Sequence, residues 1–113
     1  MNRRAVITGV GVVSPLGIGS QAHWDGLVSG RSAVARVDRL TRLGFPVDVG
    51  ADVPGQIVAA CVPRMPKKQV KLFNRATTFA MAAASLAAAD AGITTPVPDP
   101  VRAGVISATL FIP

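Results

Sequence analysis

Residues 5–13, AVITGVGVV, are apolar on both faces of an extended chain instead of alternating with polar positions. Val, Ile and Thr favour extended backbone, and a strand with two apolar faces belongs inside a parallel sheet covered by helices. Ser14-Pro15-Leu16-Gly17 ends the run, because Pro15 has no N–H for a ladder and Gly17 admits a turn. A second apolar run, RAGVISATLFI, closes the chain and reads as another strand.

Between the two runs the pattern alternates with helices. Ser20 is a candidate N-cap for a short helix over residues 21–29, with Trp24, Leu27 and Val28 on one face and Gly30 as its stop. Residues 31–66 carry Gly44, Pro46, Gly50, Pro54 and Gly55 ahead of Cys61, then Pro63 and Pro66, and read as a long irregular excursion with a small hairpin. A connection of that length in a compact domain is usually functional. Residues 67–91 predict the strongest helix, ended by Gly92. Its Ala-rich second half predicts close packing between layers, since small side chains let neighbouring backbones approach and a solvent helix carries more charge.

The predicted order is strand, helix, excursion, helix, strand, which is an α/β framework for a parallel-type sheet layered with helices. At 113 residues, with 50% hydrophobic and 16% charged residues, the chain is globular and fits one unit over residues 1–113. Two strands and two helices leave sheet edges uncovered, so the framework is expected to be incomplete and to fold only marginally alone.

Several functional classes fall away. A dinucleotide loop needs a third glycine and an adjacent helix, whereas Gly9 and Gly11 are followed by Val12, Val13 and Ser14. No phosphate loop and no other cofactor motif is present, so no cofactor is expected. The single cysteine, Cys61, excludes an internal disulfide and a multi-Cys zinc site, and points to a reducing, cytoplasmic setting. The aspartates show no metal-ligand spacing. The opening MNRR and the apolar run after it resemble an export signal, but no small-residue cleavage site follows. Residues 76–89 are too short and too weakly apolar for a membrane span. Net charge is +6, yet with 4 Phe, 1 Trp and no Tyr there is little surface on which bases stack, so nucleic acid is not the expected partner. Cys61 and the lone histidine, His23, read as a small buried thiol and a helix-surface imidazole before they read as a catalytic pair.

The remaining feature is basic. Lys67, Lys71 and Arg75 are spaced i, i+4, i+8 on the predicted helix, with Lys68 beside them and Arg64 upstream. Like charges at that spacing repel by a few tenths of a kcal/mol per pair, and cations at a helix N-terminus oppose its dipole. An anionic partner would relieve the repulsion; an ordinary solvated face is the alternative.

These residues carry a resemblance. RRAVITGVGVVSPLG, Trp24 and Leu27 before SGRSAV, the helix KLFNRATTFAMAAASLAAADAGI and the run AGVISAT are similar, in that order, to the N-terminal part of a β-ketoacyl-acyl carrier protein synthase, a thiolase-like condensing enzyme. The resemblance covers nearly the whole chain. It implies acyl transfer and decarboxylative Claisen condensation in fatty-acid or polyketide biosynthesis. In that family a cysteine takes the acyl chain from a carrier protein, and two histidines help to decarboxylate a malonyl unit whose carbanion attacks the thioester. The family's cysteine, in a Thr-Ala-Cys motif, and both histidines lie later than any position here. Cys61 and His23 match neither, so no catalytic residue is carried over and the chain alone is expected to be inactive.

The resemblance also implies an acidic acyl carrier protein as partner, docked by basic residues at the start of the long helix. Lys68 and Lys71 match those positions, Lys67 and Arg75 flank them, and Leu72 stands where a basic residue is common. Family members pair as homodimers or with a related subunit. The alternative function is a non-catalytic, chain-length-factor-like or carrier-binding partner segment. After AGVISAT the family continues with a glycine-rich turn, whereas this chain reads LFIP.

Overall fold

Pro15 and Leu16 form the two-residue tip of a tight hairpin, in which β1 (Val13–Ser14) pairs antiparallel with β2 (Gly17–Ile18). The computed structural model describes residues 4–64, 68, 70–93 and 96–110. Helix α1 (Ser20–Val28) follows the hairpin at once. Ser20 is its first residue and not its cap; Gly19 holds the cap position, and its carbonyl accepts from the His23 N–H at 3.2 Å. Gly30 ends the helix as expected, with φ at 68°, a left-handed conformation that glycine adopts without a Cβ penalty.

The excursion is more regular than its glycines and prolines suggest. Strand β3 (Ala35–Arg36) pairs antiparallel with β4 (Val49–Gly50), which realises the predicted hairpin, and Arg36 is ion-paired with Asp48 at 2.9 Å. Two helices in it were not expected from the sequence. The first, α2 (Asp38–Arg42), spans the β3–β4 connection, with Asp38 in its first turn and Arg42 in its last, both favourable to the helix dipole. The second, α3 (Gly55–Cys61), starts directly after Pro54 and runs into a 3₁₀ turn, Val62–Arg64.

The long helix is shorter than predicted. Helix α4 occupies Arg75–Asp90, preceded by a separate 3₁₀ turn at Val70–Leu72. Asn74 sets the boundary: its backbone is extended and its side chain accepts from the Thr77 N–H at 2.8 Å, so the chain caps a new helix there instead of continuing an old one. Gly92, at φ 66°, terminates it where expected.

The core lies between α3, α4 and the first hairpin. Cys61 and Ala82 are fully buried, with Val13, Ile18, Phe73, Phe79 and Met81 packed around them. The expected close packing of the Ala-rich helix is realised on one face. The chain at Gly9 and Gly11 runs past α4, where a Cβ on Gly9 would fall 2.6 Å from Ala91 N and one on Gly11 would fall 2.5 Å from Ala87 N. No side chain fits in either place. The opposite face, at Ala76, Ala80 and Ala84, is exposed.

Three expectations are corrected. Of residues 5–13 only Val13 belongs to a ladder, and residues 103–110 form no strand. All strand pairs among the described residues are antiparallel and two residues long, so the parallel-type sheet is absent there. A parallel strand is stable only with neighbours on its edges and cover on both faces, and Ile7, Val105 and Ile106 have neither, at 88%, 95% and 101% exposure. Trp24, Leu27 and Val28 are likewise exposed, and the one buried residue of α1 is Gly26, which Leu16 overlies. What remains is a small α/β piece with short strands.

Candidate functional site

The predicted basic stripe does not exist as a helix face. Lys67 lies outside the described residues; Lys68 sits in a turn; Lys71 belongs to the Val70–Leu72 3₁₀ turn; Arg75 opens α4. The i, i+4, i+8 geometry is broken at Asn74.

Arg75 is committed elsewhere. Its guanidinium donates to the Asp52 carboxylate at 2.6 Å and to the Val53 carbonyl at 2.7 Å, and lies 5.3 Å from the centre of the Phe79 ring. It therefore fastens the segment ahead of α3 to the first turn of α4. Its charge is largely answered by Asp52, which also offsets the unfavourable placement of a cation at a helix N-terminus.

Lys68 and Lys71 remain as exposed cations on the chain leading into α4. The ion pairs among the described residues are Arg36–Asp48 and Arg75–Asp52, and neither lysine takes part in them. Leu72, beside Lys71, is 82% exposed. The arrangement presents two ammonium groups next to an apolar side chain, which suits an acidic protein surface with an apolar spot.

The other reactive side chains have different surroundings. Cys61, at the end of α3, is sealed in the apolar cluster. His23 Nδ1 is 2.8 Å from Ser14 Oγ, and Ser14 Oγ also accepts from the Leu16 N–H at 3.2 Å. This links α1 to the hairpin tip, a tie that sequence reasoning missed because it joins positions nine apart across a turn. Among the described residues no group of three or more His, Cys, Asp or Glu side chains could hold a metal ion, and no helix is long and apolar enough to cross a membrane.

Comparison with known proteins adds what the geometry of so short a chain leaves open. Residues 2–111 match the family described as "Beta-ketoacyl synthase, N-terminal domain". A Streptomyces halstedii protein described as polyketide β-ketoacyl synthase 2 is 39% identical over 107 residues, covering 94% of this chain and 25% of its own length. A granaticin polyketide β-ketoacyl synthase 1 of Streptomyces violaceoruber is 37% identical, with 93% and 24% covered. The tetracenomycin polyketide synthase ketoacyl synthase beta subunit of Streptomyces glaucescens is 34% identical, with 91% and 24% covered. The chain thus spans about a quarter of the length of these relatives. With nearly every residue inside the family match, the chain belongs to the β-ketoacyl synthase family, in its N-terminal domain.

Proposed function

We propose that residues 1–113 are the N-terminal segment of a thiolase-like polyketide β-ketoacyl synthase, acting in the cytoplasm, and that its part in acyl transfer and condensation is to receive the acidic acyl carrier protein. The observation that carries this reading is the pair of exposed lysines, Lys68 and Lys71, that no aspartate answers in either ion pair described. Lys67 adjoins them in sequence and adds to the same charge. Arg75 is engaged with the Asp52 carboxylate and the Val53 carbonyl, so the docking charge falls to the lysines. Cys61 is buried and His23 is engaged with Ser14, so neither is assigned a catalytic role, and the segment by itself is catalytically silent.

The beta-subunit relative favours a second reading: a segment of the subunit that partners the condensing one, with the same carrier-docking face. Both readings need the carrier protein, and one experiment tests that shared element. The affinity of an acidic acyl carrier protein for this chain and for the Lys68→Glu/Lys71→Glu variant is measured at low and high salt. Affinity lost by about tenfold or more at low salt, with the difference shrinking as salt rises, is the expected result; equal affinity for the two proteins at low salt would remove the docking assignment.

A further inference from the structure

Leu72 is held outward by the residues that follow it. Phe73 packs against the buried cluster of Cys61 and Ala82. Asn74 is fixed on two sides, its side chain accepting from the Thr77 N–H at 2.8 Å and its carbonyl accepting from the Thr78 hydroxyl at 2.9 Å. Leu72 closes the Val70–Leu72 3₁₀ turn directly ahead of these anchors and is 82% exposed.

Exposure alone does not mark a contact, because single exposed leucines are common. The charges around Leu72 do. Lys71 precedes it and Lys68 lies in the turn before; both are exposed, and neither takes part in the Arg36–Asp48 or Arg75–Asp52 ion pair. An apolar lid from elsewhere in a complete synthase would draw two ammonium groups out of water along with Leu72, and burying an unpaired ammonium costs far more than covering one leucine returns. A cover that suits all three side chains has an apolar centre and carboxylates at its margin. That is the layout of a protein–protein contact, with an apolar anchor inside and charges on the rim.

We propose that Leu72 is a specificity-determining residue of the docking face: it selects an acyl carrier protein that sets an apolar side chain among its carboxylates, over an acidic surface that offers charge alone. The inference rests on the carrier-docking reading of Lys68 and Lys71 and gives the three side chains different roles. The lysines attract an acidic partner from a distance, and salt screens them. Leu72 acts only on contact, by removing apolar surface from water, and salt does not screen that contribution. With Phe73 and Asn74 already holding the backbone, little further ordering is needed for Leu72 to engage.

Calorimetric titration of an acidic acyl carrier protein into the 113-residue chain, at low and at high salt, tests the proposal, with polyglutamate as a partner of charge alone. Leu72→Asn is expected to weaken carrier binding about five- to tenfold, by the same factor at both salt concentrations, and to make the heat-capacity change of binding less negative. Polyglutamate binds Leu72→Asn and the parent equally. Leu72→Met keeps the parental affinity for the carrier. Leu72→Lys binds polyglutamate more tightly than the parent does, yet binds the carrier more weakly at high salt. Circular dichroism is unchanged throughout, since the side chain lies outside the core. Unchanged carrier affinity in Leu72→Asn, a loss that fades with salt, an equal loss in Leu72→Met or an equal loss toward polyglutamate would overturn the role of Leu72 and leave the docking reading intact. A parent that binds no carrier, or carrier binding that Lys68→Glu/Lys71→Glu leaves unchanged at low salt, would remove the docking reading and the role of Leu72 with it.

Discussion

The backbone N–H of Val10 donates to the Asp90 carboxylate at 2.9 Å, joining residues eighty positions apart and tying the N-terminal segment to the last residue of α4. The bond lies at the end of the track along which Gly9 and Gly11 pass Ala83, Ala87 and Ala91. A carboxylate at a helix C-terminus is placed against the dipole, and the Val10 N–H gives it a donor there.

Asp90→Ala removes the acceptor and is expected to destabilise by about 1 kcal/mol, while Asp90→Asn keeps an acceptor oxygen, sheds the unfavourable charge and stays near neutral. Hydrogen exchange at the Val10 amide checks this: protection falls in Asp90→Ala and persists in Asp90→Asn.

Gly11→Ala has no room for its Cβ against the Ala83 and Ala87 backbone, and is expected to lift residues 9–12 off α4 at a cost of about 1–3 kcal/mol. Gly55→Ala meets nothing within 4 Å and improves the propensity of α3, so it is neutral or slightly stabilising. Denaturant titrations of the two variants, read beside the parent, separate close packing from a general intolerance of glycine replacement.

That track was half legible in the sequence. The Ala-rich second half of α4 predicted a close approach, and the structure shows that Gly9 and Gly11 are what it meets. Which stretches of the excursion become helical was less legible, although Asp38, Arg42 and Gly44 are ordinary start and stop signals for α2. Pro54-Gly55 reads as a break, and only the packing of α3 against α4 makes it a helix start.

Arg75 and Asp52 are each about half exposed, so a double-mutant cycle with alanine at both positions is expected to give a coupling below about 1 kcal/mol that declines with added salt. Coupling that ignores salt would assign the energy to the Val53 carbonyl and the Phe79 ring instead.

Cys61 is fully buried, so its thiol is expected to react with an aromatic disulfide reagent only as fast as the chain opens, and at the rate of a free thiol in denaturant. Cys61→Ala leaves a void among Phe73, Phe79 and Met81 and costs about 1–2 kcal/mol. Comparing labelling rates with and without denaturant also measures how often this open structure visits its unfolded state.

The sequence by itself determined the end of α1 at Gly30, the end of α4 at Gly92, the hairpin within the excursion and the family resemblance, because turns, stops and motif order depend on residues within a few positions of one another. Tertiary structure decided which cations are free. Residues 67–75 read as one basic helix face until Asn74 caps α4 and Asp52, twenty-three positions upstream, claims Arg75. It also decided that, among the described residues, the two apolar runs form no ladder beyond Val13, since a strand becomes part of a sheet only where other chain lies beside it, and that is a property of the path and not of the residues.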